Sequence, residues 1–370
     1  MSKIVQRAPD YIRSISPYIP GKPIGELARE MGLNEADIVK LASNENPLGA
    51  SPKATAAAQK AIADIHRYPD GNGFELRAAL VARFGVAPEQ IVLGNGSNDL
   101  LNLCAAAYLN SETSAVYSQH AFAVYPLAVK SAGAQGIEVP AKAYGHDLAA
   151  MLAAIRSDTR IVFIANPNNP TGNFLPDEEI VDFLDGAPDD VLIVLDEAYN
   201  EYLAPEQRYD SVAWLAKYPN LVITRTFSKI YGLGGLRVGY GLAGREVADL
   251  LNRVREPFNV NNVALAAAAA ALGDEEFVAR SYAVNRDGMA QLMAGFDALG
   301  LEYIPSSGNF MTFRVGDAAN VNRRLLEQGV IVRPIASYQM PEWLRVTIGL
   351  PHENARFLEA LAKALLKGAE

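Results

Sequence analysis

The sequence predicts an α/β protein: a large domain with a mostly parallel central sheet covered by helices, followed by a smaller α+β domain. Three observations lead there. From residue 51 onward, short aliphatic and β-branched runs alternate with helical patterns, the order that builds βαβ units. The aliphatic runs, such as RIVFIA ending at Ala165 and VLIVL ending at Leu195, are continuous rather than alternating, as in strands covered on both faces. After about residue 272 the style changes to one long helical pattern and then strands at hairpin-like spacing.

Residues 1–48 read as an N-terminal arm, broken by Pro9, Pro17, Pro20 and Pro23 before a helix at 24–31. Residues 49–260 form the large domain, with helices expected at 52–65 and 74–84 and a short strand at 91–93. The stretch GNGSNDLL then opens a helix with small and polar residues at its start. Strands follow at 114–117, 136–139, 160–165, 191–195, 221–226 and 238–242. They are separated by helices at 123–132, 148–155, 177–184 and 211–217, with a further helix at 244–255. Residues 261–370 are assigned to the small domain: an alanine-rich helix at 264–272, a long helix at 275–299, strands at 301–304, 310–315, 330–334 and 344–348, and helices at 318–328 and 354–367.

The bulk composition excludes several function classes. Lys and Arg number 33 against 42 Asp and Glu, a net charge of −9, which argues against nucleic acid or an anionic membrane as the main partner. The single cysteine, Cys104, cannot form an intrachain disulfide and reads as a buried, inert thiol. The four histidines (His66, His120, His146, His352) have no ligand spacing, so no metal site is expected. The N-terminal stretch lacks an apolar signal core and the apolar run at 263–272 is too short to span a bilayer, so the expected location is the cytoplasm.

One segment, TRTFSKIYGLGGLRVGY over 224–240, concentrates chemistry: a β-branched run feeds a hydroxyl-rich turn, then Lys229, a glycine-rich loop and Arg237. An amine and a guanidinium so placed suit a small molecule that carries both a carbonyl and a phosphate, and pyridoxal phosphate (PLP) is one. Four upstream stretches end a strand or open a helix, where ligands of open α/β sheets gather. The string from Gly94 to Asn98 offers backbone amides to an anion. NPNNPTG presents amide side chains beyond a strand, Asp196 in DEAY could partner a protonated pyridine nitrogen, and Phe122 offers a flat face to a ring.

Asn169, Asp196 27 residues later, and Lys229 33 residues after that, with Tyr199 and Arg237 alongside, give an order that resembles the aspartate-aminotransferase-like family of fold type I PLP enzymes. With LASNENP, HRYPDG, GNGSNDLL and LRVTIG, the resemblance covers nearly the whole chain. It implies that Lys229 forms a Schiff base with PLP, that Asp196 pairs with the pyridine nitrogen, and that Asn169 and Tyr199 bond the ring oxygen. Lys229, Asp196 and Tyr199 are the implied catalytic residues. Gly96, Ser97, Thr226, Ser228 and Arg237 would hold the phosphate, and Asn98 and Phe122 would line the cofactor. Tyr68 would reach the cofactor of a second copy, implying a homodimer with shared sites. Arg345 would grip the glutamate carboxylate, and Arg333, Tyr18 and Asn44 would contact substrate. The implied reaction is ping-pong transfer of an amino group from histidinol phosphate to 2-oxoglutarate, yielding glutamate. An aromatic amino acid is the alternative donor.

Overall fold

The structure, a computed structural model, describes residues 2–17 and 20–366. Its strands, in chain order, are β1 (Val39–Lys40), β2 (Ile91–Gly94), β3 (Ser114–Ser118), β4 (Gln135–Val139), β5 (Thr159–Ala165), β6 (Leu192–Asp196), β7 (Leu221–Thr226) and β8 (Gly239–Ala243), then β9 (Tyr303–Ile304), β10 (Phe310–Arg314), β11 (Val330–Ile331), β12 (Arg333–Pro334) and β13 (Trp343–Thr347). The large unit carries a seven-stranded sheet in the order β2-β8-β7-β6-β5-β3-β4. Its five strands from β7 to β4 are parallel, whereas β8 runs antiparallel to both β2 and β7. The continuous apolar runs have a simple cause. In β6, Ile193 and Leu195 enter one hydrophobic core and Leu192 and Val194 the core on the opposite face. Val162 and Ile164 of β5 divide from Ile161 and Phe163 in the same way.

The small unit is a four-stranded antiparallel sheet, β12-β13-β10-β9, packed on helices Glu275–Ala298 and Pro351–Leu366 through Leu292, Phe296, Phe313 and Phe357. The arm does not stand apart from it. Strand β1 pairs in parallel with β11, and Leu27 and Ala28 of helix Ile24–Met31 pack with Ile331.

Packing redraws the expected division of the chain at one place. Helix Asn262–Leu272, assigned from sequence to the small domain, buries Ala264, Ala267, Ala268 and Ala271 in the core of the large unit, against helices Pro52–Ala61 and Phe74–Phe84. Its methyl side chains let helix axes approach closely, so the small unit's own core begins in the long helix after it. Other expected elements change in detail. The stretch 330–334 is two strands, because β1 captures β11 while β12 crosses to β13. The helix expected at 211–217 ends at Trp214, in keeping with Pro219, which disfavours helical backbone at Tyr218. Helix Pro52–Ala61 gives way to a single 3-10 turn, Ile62–Asp64. Among the described residues, no helix is long and apolar enough to cross a membrane.

Candidate active site

Three neighbouring parallel strands end side by side, and the residues that follow them build the site. Asn169 lies just past β5, Asp196 ends β6, and Thr226 ends β7, with Ser228 and Lys229 in the turn beyond. They line one cavity of about 600 Å³, together with Ser97, Asn98, Phe122, Tyr199 and Arg237. Ten residues singled out from sequence are therefore brought together.

At the inner end of the cavity, Asp196 is buried and accepts hydrogen bonds from Tyr125 Oη (2.9 Å to Oδ2) and Thr224 Oγ1 (3.2 Å to Oδ1). Burial raises its carboxyl to about 6. The Tyr125 and Thr224 hydrogen bonds oppose the rise. A buried carboxylate with capacity left beyond these partners calls for a cationic or N–H partner. Across the cavity, Lys229 Nζ donates to Ser43 O (3.2 Å) and stands 5.7 Å from the Tyr199 ring centre. Burial lowers its ammonium to about 8, and Arg345 and Arg237 push the same way. Tyr199 is buried beside it, with burial raising its phenol to about 12, and accepts from Asn44 Nδ2 (2.9 Å). Asn44 sits at φ 55°, a left-handed conformation that asparagine tolerates.

The mouth is an anion seat. Helix Ser97–Tyr108 points its N-terminus into the cavity, and Gly96 at its cap has φ 86°. Arg237 is drawn across the seat, donating to Ser228 Oγ (3.4 Å), Gly234 O (3.0 Å) and Asn95 O (3.3 Å) from a backbone at φ 57°. That conformation costs an arginine on the order of 1 kcal/mol. A Cβ on Gly96 would lie 2.8 Å from Arg237 Nη2, so the close approach of loop and guanidinium needs glycine there. Thr226 Oγ1 accepts from the Ser228 amide (3.1 Å) and fixes the turn. Acid at one end, amine at the side and a cationic, amide-lined seat at the other match the ring nitrogen, aldehyde and phosphate of PLP.

Beneath the seat runs β8, where a Cβ on Gly239 would lie 2.5 Å from the Ser97 amide nitrogen. Gly239→Ala is expected to push the helix start out of place, costing roughly 1–3 kcal/mol of stability and at least about tenfold in PLP affinity. In the same strand, Gly241→Ala meets only the Leu100 side chain at 3.2 Å and is expected to be milder. Thermal unfolding and a fluorescence titration of PLP on both variants check the contrast.

The remaining expected residues fall outside this cavity. Arg345 is buried, donates to Asn169 Oδ1 and Ala42 O (2.9 Å), and lies 5.3 Å from the Phe310 ring centre. Asn169, expected to bond the cofactor ring, thus also orients Arg345. Asn44, expected to touch substrate, has its side-chain amide committed to Tyr199 and Thr347. Arg333 is the register partner of Arg345 in the small sheet and lines a separate cavity of about 920 Å³ with Ser16, Pro17 and Tyr338. Phe122, which does line the cavity, meets Tyr125 edge-on. Tyr68 is 83% exposed and stacked on Phe258. Tyr18 lies outside the described residues. Among the described residues, no cluster of three or more His, Cys, Asp and Glu could hold a metal.

Sequence reasoning missed Tyr125 and Thr224. Tyr125 lies three residues after Phe122, in the first turn of helix Val124–Ser131, and Thr224 is the register partner of Asp196, two residues before Thr226 on the same face of β7.

Comparison with known proteins gives the chain's relatives. The sequence model of the family described as Aminotransferase class I and II matches residues 36–361. The chain is 65% identical to histidinol-phosphate aminotransferase 1 of Dechloromonas aromatica, over 98% of this chain and 99% of that one. It is 62% identical to histidinol-phosphate aminotransferase 2 of Nitrosospira multiformis, over 98% and 93%. The fold is similar to the crystal structure of histidinol-phosphate aminotransferase from Sinorhizobium meliloti in complex with pyridoxal-5'-phosphate, at a TM-score of 0.89 and 27% identity over 98% of both chains.

Proposed function

The chain belongs to the class I and II aminotransferase family, and we propose that within it the protein is a PLP-dependent transaminase that moves the amino group of histidinol phosphate to 2-oxoglutarate, giving imidazole acetol phosphate and glutamate in histidine biosynthesis. The observation that carries the reading is the cavity itself: Asp196, Lys229 and Arg237 stand around one site with the charges PLP calls for, in a chain so similar to histidinol-phosphate aminotransferases.

When bound, the cofactor supplies an aldehyde that takes up the amino group and a ring that accepts the electron pair released at the substrate α-carbon. The protein does the rest. Arg237, Ser97, Ser228 and Thr226 would bind the phosphate. Asp196, steadied by Tyr125 and Thr224, would keep a positive charge on the ring nitrogen, and Tyr199 and Asn169 would hydrogen-bond the ring oxygen. Lys229 Nζ would take the proton from the α-carbon of the amino donor in the first half-reaction and deliver a proton to the α-carbon derived from 2-oxoglutarate in the second. With its ammonium lowered to about 8, about a tenth of it is the free amine at pH 7, a base matched to working pH. Arg345, desolvated and held by Asn169 and Ala42, grips the carboxylate of glutamate or 2-oxoglutarate. Arg333 and Tyr18 belong to the site for the phosphate of the other substrate.

Two copies are proposed to share sites. Tyr68 is 83% exposed and stacked on the exposed Phe258, and Ile62, Ile65 and Phe74 are exposed as well, apolar surface that a second copy would cover while the Tyr68 hydroxyl reached the partner's phosphate seat. Tyr68→Phe is expected to weaken PLP binding about three- to tenfold while sedimentation still reports a dimer. We place the enzyme in the cytoplasm, with no nucleic acid or membrane partner.

The deciding experiment is steady-state kinetics with histidinol phosphate and with phenylalanine, each against 2-oxoglutarate. A kcat/KM at least about a hundredfold higher for histidinol phosphate is expected. Equal values, or a preference for phenylalanine, would replace this substrate with an aromatic amino acid.

A further inference from the structure

Immediately behind the acid of the site lies a second carboxylate that the chemistry above does not use. Glu197 follows Asp196 in the chain, faces away from the cavity and is fully buried. Arg225, between Thr224 and Thr226, faces the same way and is 7% exposed. The two form an ion pair: Arg225 Nε donates to Glu197 Oε2 at 2.9 Å and Nη2 lies 2.8 Å from the same oxygen. Ser211 Oγ donates to that oxygen as well (3.0 Å) and accepts from Arg225 Nη2 (3.3 Å). Tyr209, also beside Glu197, accepts from Asn166 Nδ2 at 3.0 Å. Asn166, Glu197 and Arg225 therefore tie together the ends of β5, β6 and β7 from the face opposite the site.

We infer that Arg225 is a positioning residue for the reaction: by neutralising Glu197 it keeps a second negative charge from drawing the proton of the cofactor's ring nitrogen onto Asp196. The inference rests on the reading that Asp196 faces that nitrogen. Two carboxylates on consecutive buried residues repel strongly in a low-dielectric interior. Burial already favours the neutral form of Asp196, and the charge of Glu197 acts in the same direction. An Asp196 that took the proton would leave the ring uncharged and a poorer electron sink. The other ionisable groups around the pair are Glu201, whose carboxyl burial raises to about 7, and Tyr240, Tyr231 and Arg83. Among them only Arg225 contacts the Glu197 carboxylate as a full positive charge. Burial works against that charge, and Glu197, Tyr240 and Glu201 together more than offset the effect. A buried ion pair adds little net stability over an apolar pair of the same shape, so the fold alone gives small reason for it.

The test is the 15N chemical shift of ring-labelled PLP reconstituted into the full-length protein near neutral pH, with circular dichroism as the check on folding. The wild type is expected at the protonated position. Arg225→Met is expected to move the shift toward unprotonated pyridine and to lower kcat about tenfold with little change in KM. Arg225→Lys should stay near the wild type, and Arg225→Met/Glu197→Gln, which removes both charges, should return to it. If Arg225→Met does not fold, Arg225→Gln, which keeps hydrogen bonds to Glu197 and Ser211, carries the same expectations. A folded neutral variant with an unmoved shift would overturn the inference and leave the role of Asp196 standing. So would a double variant as displaced as the single one, since that reports packing. A wild type whose ring nitrogen carries no proton would overturn the inference and the Asp196 reading together.

Discussion

Lys229→Ala is expected to fold, to bind PLP without the absorbance band of the covalently held cofactor, and to lose at least about four orders of magnitude in turnover, roughly 5.5 kcal/mol of barrier. The size follows from the absence of a substitute. The cavity wall offers Tyr199, whose phenol burial raises to about 12, out of reach near pH 7, and Asp196, which the proposed role commits to the ring nitrogen. Folding should survive, because Nζ makes one hydrogen bond, to Ser43 O, and burial of its ammonium is unfavourable. The sign of the pH dependence is checkable. A depressed lysine pKa destabilises the cofactor-free fold below the unfolded value near 10.5, fully so once pH falls through about 8. Cofactor-free Lys229→Ala should therefore gain on the wild type in thermal unfolding at pH 7 and lose that gain above pH 10. A variant that transaminates at wild-type rate would remove Lys229 from the chemistry.

The site was more legible in the sequence than its supports, and the reason is geometric. Strand ends in a parallel sheet all point the same way, so polar residues directly after apolar runs must meet: Asn169, Asp196 and Thr226 could be placed together from the order of elements alone. What holds those residues depends on register. That Thr224 stands beside Asp196, or that Glu197 and Arg225 pair on the other face, follows only once β6 and β7 are aligned residue by residue. The same limit applies to the ends of the chain. The run NVALAAAAAAL reads as a helix in any context, but composition cannot say which core it joins, because a helix apolar all round buries equally well against either unit. A two-residue strand such as β1 leaves no periodicity to detect, so the arm's attachment to β11 was invisible.

Asp196→Asn carries the second large effect, and it divides function from stability. Asparagine keeps the volume and can still accept from Tyr125 or Thr224, so the cavity should persist. What goes is the negative charge proposed to face the ring nitrogen, and with it the support for a protonated, electron-accepting ring. A loss of about 10³ in kcat is expected, with a smaller change in KM, because the charge matters most where electron density builds up. Stability should move the other way in the cofactor-free protein. Burial lifts the Asp196 carboxyl from 3.8 to about 6, so ionising it in the fold is unfavourable, a penalty on the order of 3 kcal/mol at pH 7.5. Since the folded value is the higher one, the penalty is absent below pH 3.8, grows as pH rises through 6, and is complete above it. Cofactor-free Asp196→Asn should thus melt several degrees above the wild type at pH 7.5 and alongside it below pH 4, while PLP, which gives the wild-type carboxylate its cationic partner, should narrow or reverse the difference. A variant less stable than the wild type at pH 7.5 without cofactor would mean that the hydrogen bonds from Tyr125 and Thr224, rather than burial, dominate the energetics of this carboxylate.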